Sequence, residues 1–124
     1  MPLISRPAHF TEVDGLRTRY WDYGAGNSPL LLIHGIGGSL EAWHRNLEPF
    51  AAQRRTIAID LPGSGRSDRP IPFPRQTLGY LADFLHDFLA QVTGGEPLFV
   101  VGSSFGGAVA MEMAVRHPER VRGL

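Results

Sequence analysis

The stretch VVGSSFGGAVAMEMA, residues 100–114, decides how this chain is read. It begins as the end of an apolar run, PLFVVG (97–102), with the continuous hydrophobicity of a strand buried on both faces. It continues as FGGAVAMEMAVRH (105–117), a helix that ends before Pro118. Between them Gly102-Ser103-Ser104-Phe105-Gly106 matches G-x-S-x-G, so a strand, a sharp turn and a helix place Ser104 on an elbow. Glycines two before and two after the serine suit a crossing where strand and helix approach too closely for a β-carbon. The free N–H groups at the helix start favour negative charge developing near the serine. A glycine-rich turn around an unreactive serine would use the same five residues.

Outward from the elbow, strand and helix patterns alternate. HFTEVDGLRTRYWDYG (9–24) reads as a hairpin about Asp14-Gly15, a dipeptide suited to positive φ at both central positions. LLLIHG (30–35) is a second doubly buried strand, followed by the loop GIGGS (35–39). Ser39 is placed to cap a helix through Leu40, Trp43 and Leu47, disturbed by Pro49. RRTIAID (54–60) is a further buried strand, and LPGSGRSDRPIPFP (61–74) a Gly- and Pro-rich loop. Leu81, Phe84, Leu85, Phe88, Leu89 and Val92 then mark one face of a helix, with Asp83, His86, Asp87 and Gln91 opposite. PERVRGL (118–124) has the composition of another strand beginning. An initial hairpin followed by this alternation predicts an α/β domain with a parallel sheet and flanking helices.

Composition narrows the function classes. The 124 residues are 43% hydrophobic and 19% charged, a balance typical of globular proteins. The 12 basic residues are all Arg, and 12 acids bring the formal charge to zero, so no basic stripe favours nucleic acid, membrane surface or a polyanion. Cysteine is absent, which removes disulfides, thiolate metal sites and a cysteine nucleophile, and fits a cytoplasmic protein. Its apolar runs are far shorter than a bilayer span.

Ser104 as a nucleophile would need two converging N–H donors. Phe105, directly after it, supplies one; Ile36, in the flexible HGIGG loop, is the choice for the second, with Gly37 as the fallback. That loop has neither the Lys of a P-loop nor the third Gly of a dinucleotide fingerprint, so no nucleotide or other cofactor is expected, and no metal.

With LLLIHGIGGS, Trp43, AIDLPGSGRSDRP and VVGSSFGGAVAMEMAVRHPERVRGL in this order, the chain from about His9 to Leu124 closely resembles the α/β-hydrolase family, serine-nucleophile branch, in its amino-terminal half. The resemblance implies strands one to five in the order 1-2-4-3-5, a sheet truncated at the start of the sixth strand, and the Asp60 to Asp68 loop after the fourth. It implies Ser104 as nucleophile, Phe105 and Ile36 as oxyanion donors, and a carboxylic ester or related acyl substrate. In that family the triad acid and histidine follow the serine in the chain. Here residues 105–124 offer only Glu112, Glu119 and His117, all on the helix or its exit.

The remaining histidines read as structural or solvated: His9 in the first strand, His34 in the oxyanion loop, His44 on a core helix, and His86 on an exposed helix face. A chain ending here is thus expected to be nearly inactive, with the fifth strand an open apolar edge for self-association or a complementing chain. The alternatives are a short non-catalytic binding chain or one half of a two-chain hydrolase.

Overall fold

A computed structural model describes residues 6–69 and 77–124. The latter part of the predicted 61–74 loop, from residue 70, lies outside them. The chain opens with β1 (His9–Val13) and β2 (Leu16–Tyr23), paired antiparallel with Val13 opposite Leu16. Asp14 and Gly15 have φ of 52° and 74°, the double positive φ that a two-residue hairpin turn with the right-handed strand twist requires.

β3 (Leu30–Ile33), β4 (Thr56–Ile59) and β5 (Leu98–Gly102) are the predicted buried strands. β3 lies between β4 and β5 and is parallel to both, while β4 meets β2 antiparallel. A short strand β6 (Val121–Gly123) completes the order β1-β2-β4-β3-β5-β6. β5 is therefore not the outermost strand. β6 runs parallel to it, with Leu98 opposite Val121 and Phe99 opposite Gly123, and covers the start of the predicted open edge. The pairing stops at Phe99, so residues 100–102 of β5 have no strand partner on that side among the described residues.

Strand periodicity divides the core. Leu31, Ile33, Ile57, Ile59, Leu98 and Val100 point to one face. There they meet α2 (Leu78–Thr93), through the predicted Leu81, Phe84, Leu85, Phe88 and Leu89, and α3 (Phe105–Arg116), through Val109, Ala110 and Met113. Thr77 caps α2 by accepting from the Tyr80 N–H at 3.1 Å, and Gly94 ends it at φ 77°. On the other face Trp21, Leu30, Leu32 and Ala58 pack against Leu40 and Leu47. No helix among the described residues is long and apolar enough to cross a membrane.

The helix expected from Ser39 does not form as one piece. Leu40–Trp43 is a 3₁₀ turn, and α1 (Leu47–Ala51) is a separate short helix with Pro49 at its third position. A continuous helix would put the proline ring against the Arg45 carbonyl and lose a hydrogen bond; starting at Leu47 leaves Pro49 in the first turn, where its missing N–H costs nothing. Ser39 is extended and makes no capping bond, its hydroxyl donating to Glu41 Oε1 at 2.7 Å.

Candidate active site

The elbow forms as the sequence predicts. The Ser103 N–H carries the β3–β5 ladder one residue further, donating to the Ile33 carbonyl at 3.0 Å. Ser104 then takes φ 56° and ψ −118°, and the Gly106 N–H closes the turn on the Ser103 carbonyl at 2.9 Å. Those torsions belong to the first central position of a type II′ turn, which normally goes to glycine. For serine the conformation costs about 1–3 kcal/mol, held by the strand before it and the helix after it.

The flanking glycines are required sterically. A β-carbon on Gly102 would sit 2.6 Å from the Gly107 nitrogen, and one on Gly106 would sit 2.5 Å from the His34 carbonyl oxygen. Both obstacles are backbone. Gly106→Ala is accordingly expected to cost about 1–3 kcal/mol, the range for overpacking. Urea denaturation checks this, and an unchanged midpoint would contradict the close crossing of α3 over β3.

The loop after β3 lies against this elbow. A β-carbon on Gly35 would be 3.2 Å from the Ser103 oxygen and 3.4 Å from Ser104 Cβ. Gly35–Gly38 is a turn closed by the Gly38 N–H on the Gly35 carbonyl at 3.1 Å, with Gly37 at φ 75°. Ile36 projects from it, 82% exposed, at the rim of a cleft of about 250 Å³ that Pro62, Leu81 and Phe105 also line. Among the described residues the N–H groups of Ile36, Gly37 and Phe105 have no acceptor, and no side chain hydrogen bonds to Ser104.

Asp60, missed by sequence reasoning, and His34, read there as structural, hold the cleft loops. Asp60, fully buried at the end of β4, accepts from the Leu40 N–H at 2.7 Å through Oδ1 and from the Arg66 N–H at 2.9 Å through Oδ2. Arg19 Nε stands 3.4 Å from the same carboxylate, and its Nη2 pairs with Glu41. Burial pushes the Glu41 carboxyl up, but hydrogen bonds from Ser39 and Arg19 and the Arg19 charge together hold it below the ordinary carboxylate value. His34, also buried, sits between the two loops. Its Nε2 accepts from the Leu61 N–H at 3.1 Å, so Nδ1 carries the proton, donated to the Gly35 carbonyl at 2.8 Å. The available signal was an acid directly after an apolar strand, in AID.

The family model described as alpha/beta hydrolase fold matches residues 28–124. The chain belongs to the α/β-hydrolase family. It is 44% identical over 115 residues to the dihydrolipoyllysine-residue acetyltransferase component of the acetoin cleaving system of Cupriavidus necator, a match covering 90% of this chain and 29% of that protein. To the pimeloyl-[acyl-carrier protein] methyl ester esterase of Salmonella heidelberg it is 39% identical over 108 residues, covering 85% of this chain and 38% of the esterase. A meta-cleavage product hydrolase structure from Pseudomonas fluorescens IP01 superposes with a TM-score of 0.85 at 30% identity, covering 93% of this chain and 43% of that one. The chain thus spans about a third of the length of these two curated relatives.

Within this α/β-hydrolase segment no histidine bonds to Ser104. His34 is committed to its two backbone partners, His44 Nδ1 pairs with the Glu41 carbonyl at 2.9 Å, and His9 lies against the Tyr20 ring at 5.4 Å. His44 follows the 3₁₀ turn rather than riding a core helix. The solvated-surface reading of His86 is corrected. Its ring is half-buried and stacks on His117 at 4.2 Å, because the helix face that carries it meets the exit of α3. Glu112 lies 3.9 Å from Arg116, and Glu119 sits beside the two stacked histidines.

Proposed function

We propose that this segment carries the nucleophile and oxyanion hole of a serine hydrolase acting on a carboxylic ester or related acyl substrate. The observation that carries the reading is the strained Ser104 elbow facing a loop whose Ile36 and Gly37 N–H groups, like that of Phe105, have no acceptor among the described residues. Ser104 Oγ attacks the substrate carbonyl as a base removes its proton, and the oxyanion accepts from the Ile36 and Phe105 N–H groups. The tetrahedral centre expels the alcohol, which takes the proton. Water, deprotonated by the same base, then attacks the acyl-enzyme and releases the acid and the serine. The fold positions, the small cleft and the similarity to an esterase support this reading; none of the steps needs a cofactor.

Residues 1–124 are read as the first part of one hydrolase domain, with the acid, the histidine and the lid supplied by further chain. A fluorophosphonate probe tests the reading. Full-length protein should label at Ser104, and residues 1–124 alone should label far more slowly. Rapid labelling of the short segment would mean that its base lies within these 124 residues; no labelling of the full-length protein would refute the nucleophile.

A second reading, a non-catalytic chain that binds another copy or a complementing half, is favoured by Met111, Val115 and Leu124, exposed at 58%, 77% and 66%. Such apolar surface calls for cover. The 124-residue chain is expected to elute as a dimer or larger in size-exclusion chromatography; a monodisperse monomer would remove this second reading.

A further inference from the structure

His86, His117 and Glu119 come together at the end of α3 opposite the elbow, thirteen residues from Ser104 and so roughly 20 Å along the helix. Three lone-pair acceptors converge there. His86 Nε2 and His117 Nδ1 lie 4.0 and 3.8 Å from the same oxygen, Glu119 Oε1, and one ligand atom from each residue falls within 4.8 Å of the others.

The surroundings fix the two imidazoles with those nitrogens unprotonated. His117 Nε2 faces Asp83 Oδ1 at 2.8 Å, so the proton on that side is donated to the carboxylate and Nδ1 keeps its lone pair. Asp83 is gripped by Arg116 through Nε at 3.1 Å and Nη2 at 2.7 Å, which fixes the carboxylate that orients His117. A histidine whose second ring nitrogen donates to a carboxylate is the arrangement that orients imidazole ligands toward a metal. Arg120 Nη2 donates to His86 Nε2 at 3.2 Å, which places the His86 proton on Nδ1, toward Asp87 Oδ1 at 3.5 Å.

We propose that His86, His117 and Glu119 form a binding site for a borderline divalent transition metal of the zinc class, separate from the elbow. Two nitrogens and one carboxylate oxygen are the donor set such an ion prefers. Ligand atoms in a tetrahedral zinc site stand about 3.3–3.5 Å apart at bond lengths of 2.0–2.2 Å. The three side chains therefore close by up to about 1.5 Å, with the stacked rings turning toward Glu119. Arg120 occupies the His86 lone pair in the metal-free form and is displaced. Its Nε is buried without an acceptor, while its Nη1 donates to the Gly95 carbonyl, so only the Nη2 end needs to swing away from His86. His86 belongs to α2 while His117 and Glu119 follow α3, so the bound ion would brace α2 against the α3–β6 connection.

The test is calorimetric titration of full-length protein with ZnCl₂, paired with thermal denaturation. One saturable equivalent of Zn²⁺ and a raised Tm are expected. His86→Ala and Glu119→Gln should each weaken binding at least tenfold and abolish the Tm rise, with unchanged circular dichroism without metal. Asp83→Asn should weaken it by about ten- to a hundredfold, as loss of an orienting partner does. Arg120→Gln should tighten binding, a gain that misfolding would not produce. A His9→Ala, His44→Ala double variant should bind as the parent does. Absence of a saturable equivalent, or equal binding by His86→Ala and the parent, would overturn the site.

Discussion

Ser104→Ala in the full-length protein is expected to lower turnover on an activated acyl ester by on the order of a millionfold, the loss seen when a triad nucleophile is removed. Ser103→Ala should stay within a few-fold of the parent. Only one of these adjacent serines is on the elbow: Ser103 still belongs to the β3–β5 ladder through its N–H, whereas Ser104 takes the torsions that lift a side chain off strand and helix alike. A third substitution separates chemistry from folding. Ser104→Gly relieves a positive φ that serine adopts at a cost of about 1–3 kcal/mol, so the variant should melt higher than the parent while being equally inactive. Activity retained in Ser104→Ala, or lost equally in Ser103→Ala, would detach catalysis from the elbow. A lower Tm in Ser104→Gly would contradict the strain.

Legibility in the sequence followed the range of the interactions. The hairpin, the elbow and α2 are written locally: Asp14-Gly15 between alternating strands, two glycines around Ser104, and apolar residues at helical spacing from Leu81 to Leu89. Each signal spans fewer than a dozen residues and has one low-energy solution. The break between Leu40 and Leu47 was half legible, since Pro49 forbids a helix through Arg45 but does not say where the next begins. His86 was misread because a polar face on an isolated helix looks solvated, and what covers it, His117, is 31 positions away. Asp60 was missed for the same reason. An acid at the end of an apolar strand reads identically whether a loop folds over it or water does, and its partners Arg19, Leu40 and Arg66 come from three separate segments.

That carboxylate carries the largest expected stability effect. Asp60→Ala should cost about 3–5 kcal/mol in urea denaturation, because it removes one partner of a buried ion pair, leaving the buried Arg19 with only the partly exposed Glu41 as counter-charge, and strips two backbone N–H groups of their acceptor. Total stabilities of about 5–15 kcal/mol make this a fifth or more of what holds the domain. The Leu40 and Arg66 N–H groups lose their acceptors in the same step; the buried Leu40 N–H carries a penalty of about 1–3 kcal/mol, and that of Arg66, on an exposed residue, can turn to water. Asp60→Asn should cost less: its carbonyl oxygen can still accept from Leu40, but its NH₂ then faces the Arg66 N–H and one of the two charges opposite Arg19 is gone. Adding Arg19→Met to Asp60→Ala should recover part of the loss, since the buried guanidinium goes and the Glu41 carboxylate it leaves is partly open to water. A cost below about 1 kcal/mol for Asp60→Ala, or no recovery in the double variant, would show that the loops are held by other means. The functional consequence runs through the same bonds. Leu40 ends the segment that begins at Gly35 against the elbow, and Arg66 belongs to the loop that lines the far side of the cleft, so one buried carboxylate ties the Ile36 turn to the wall opposite.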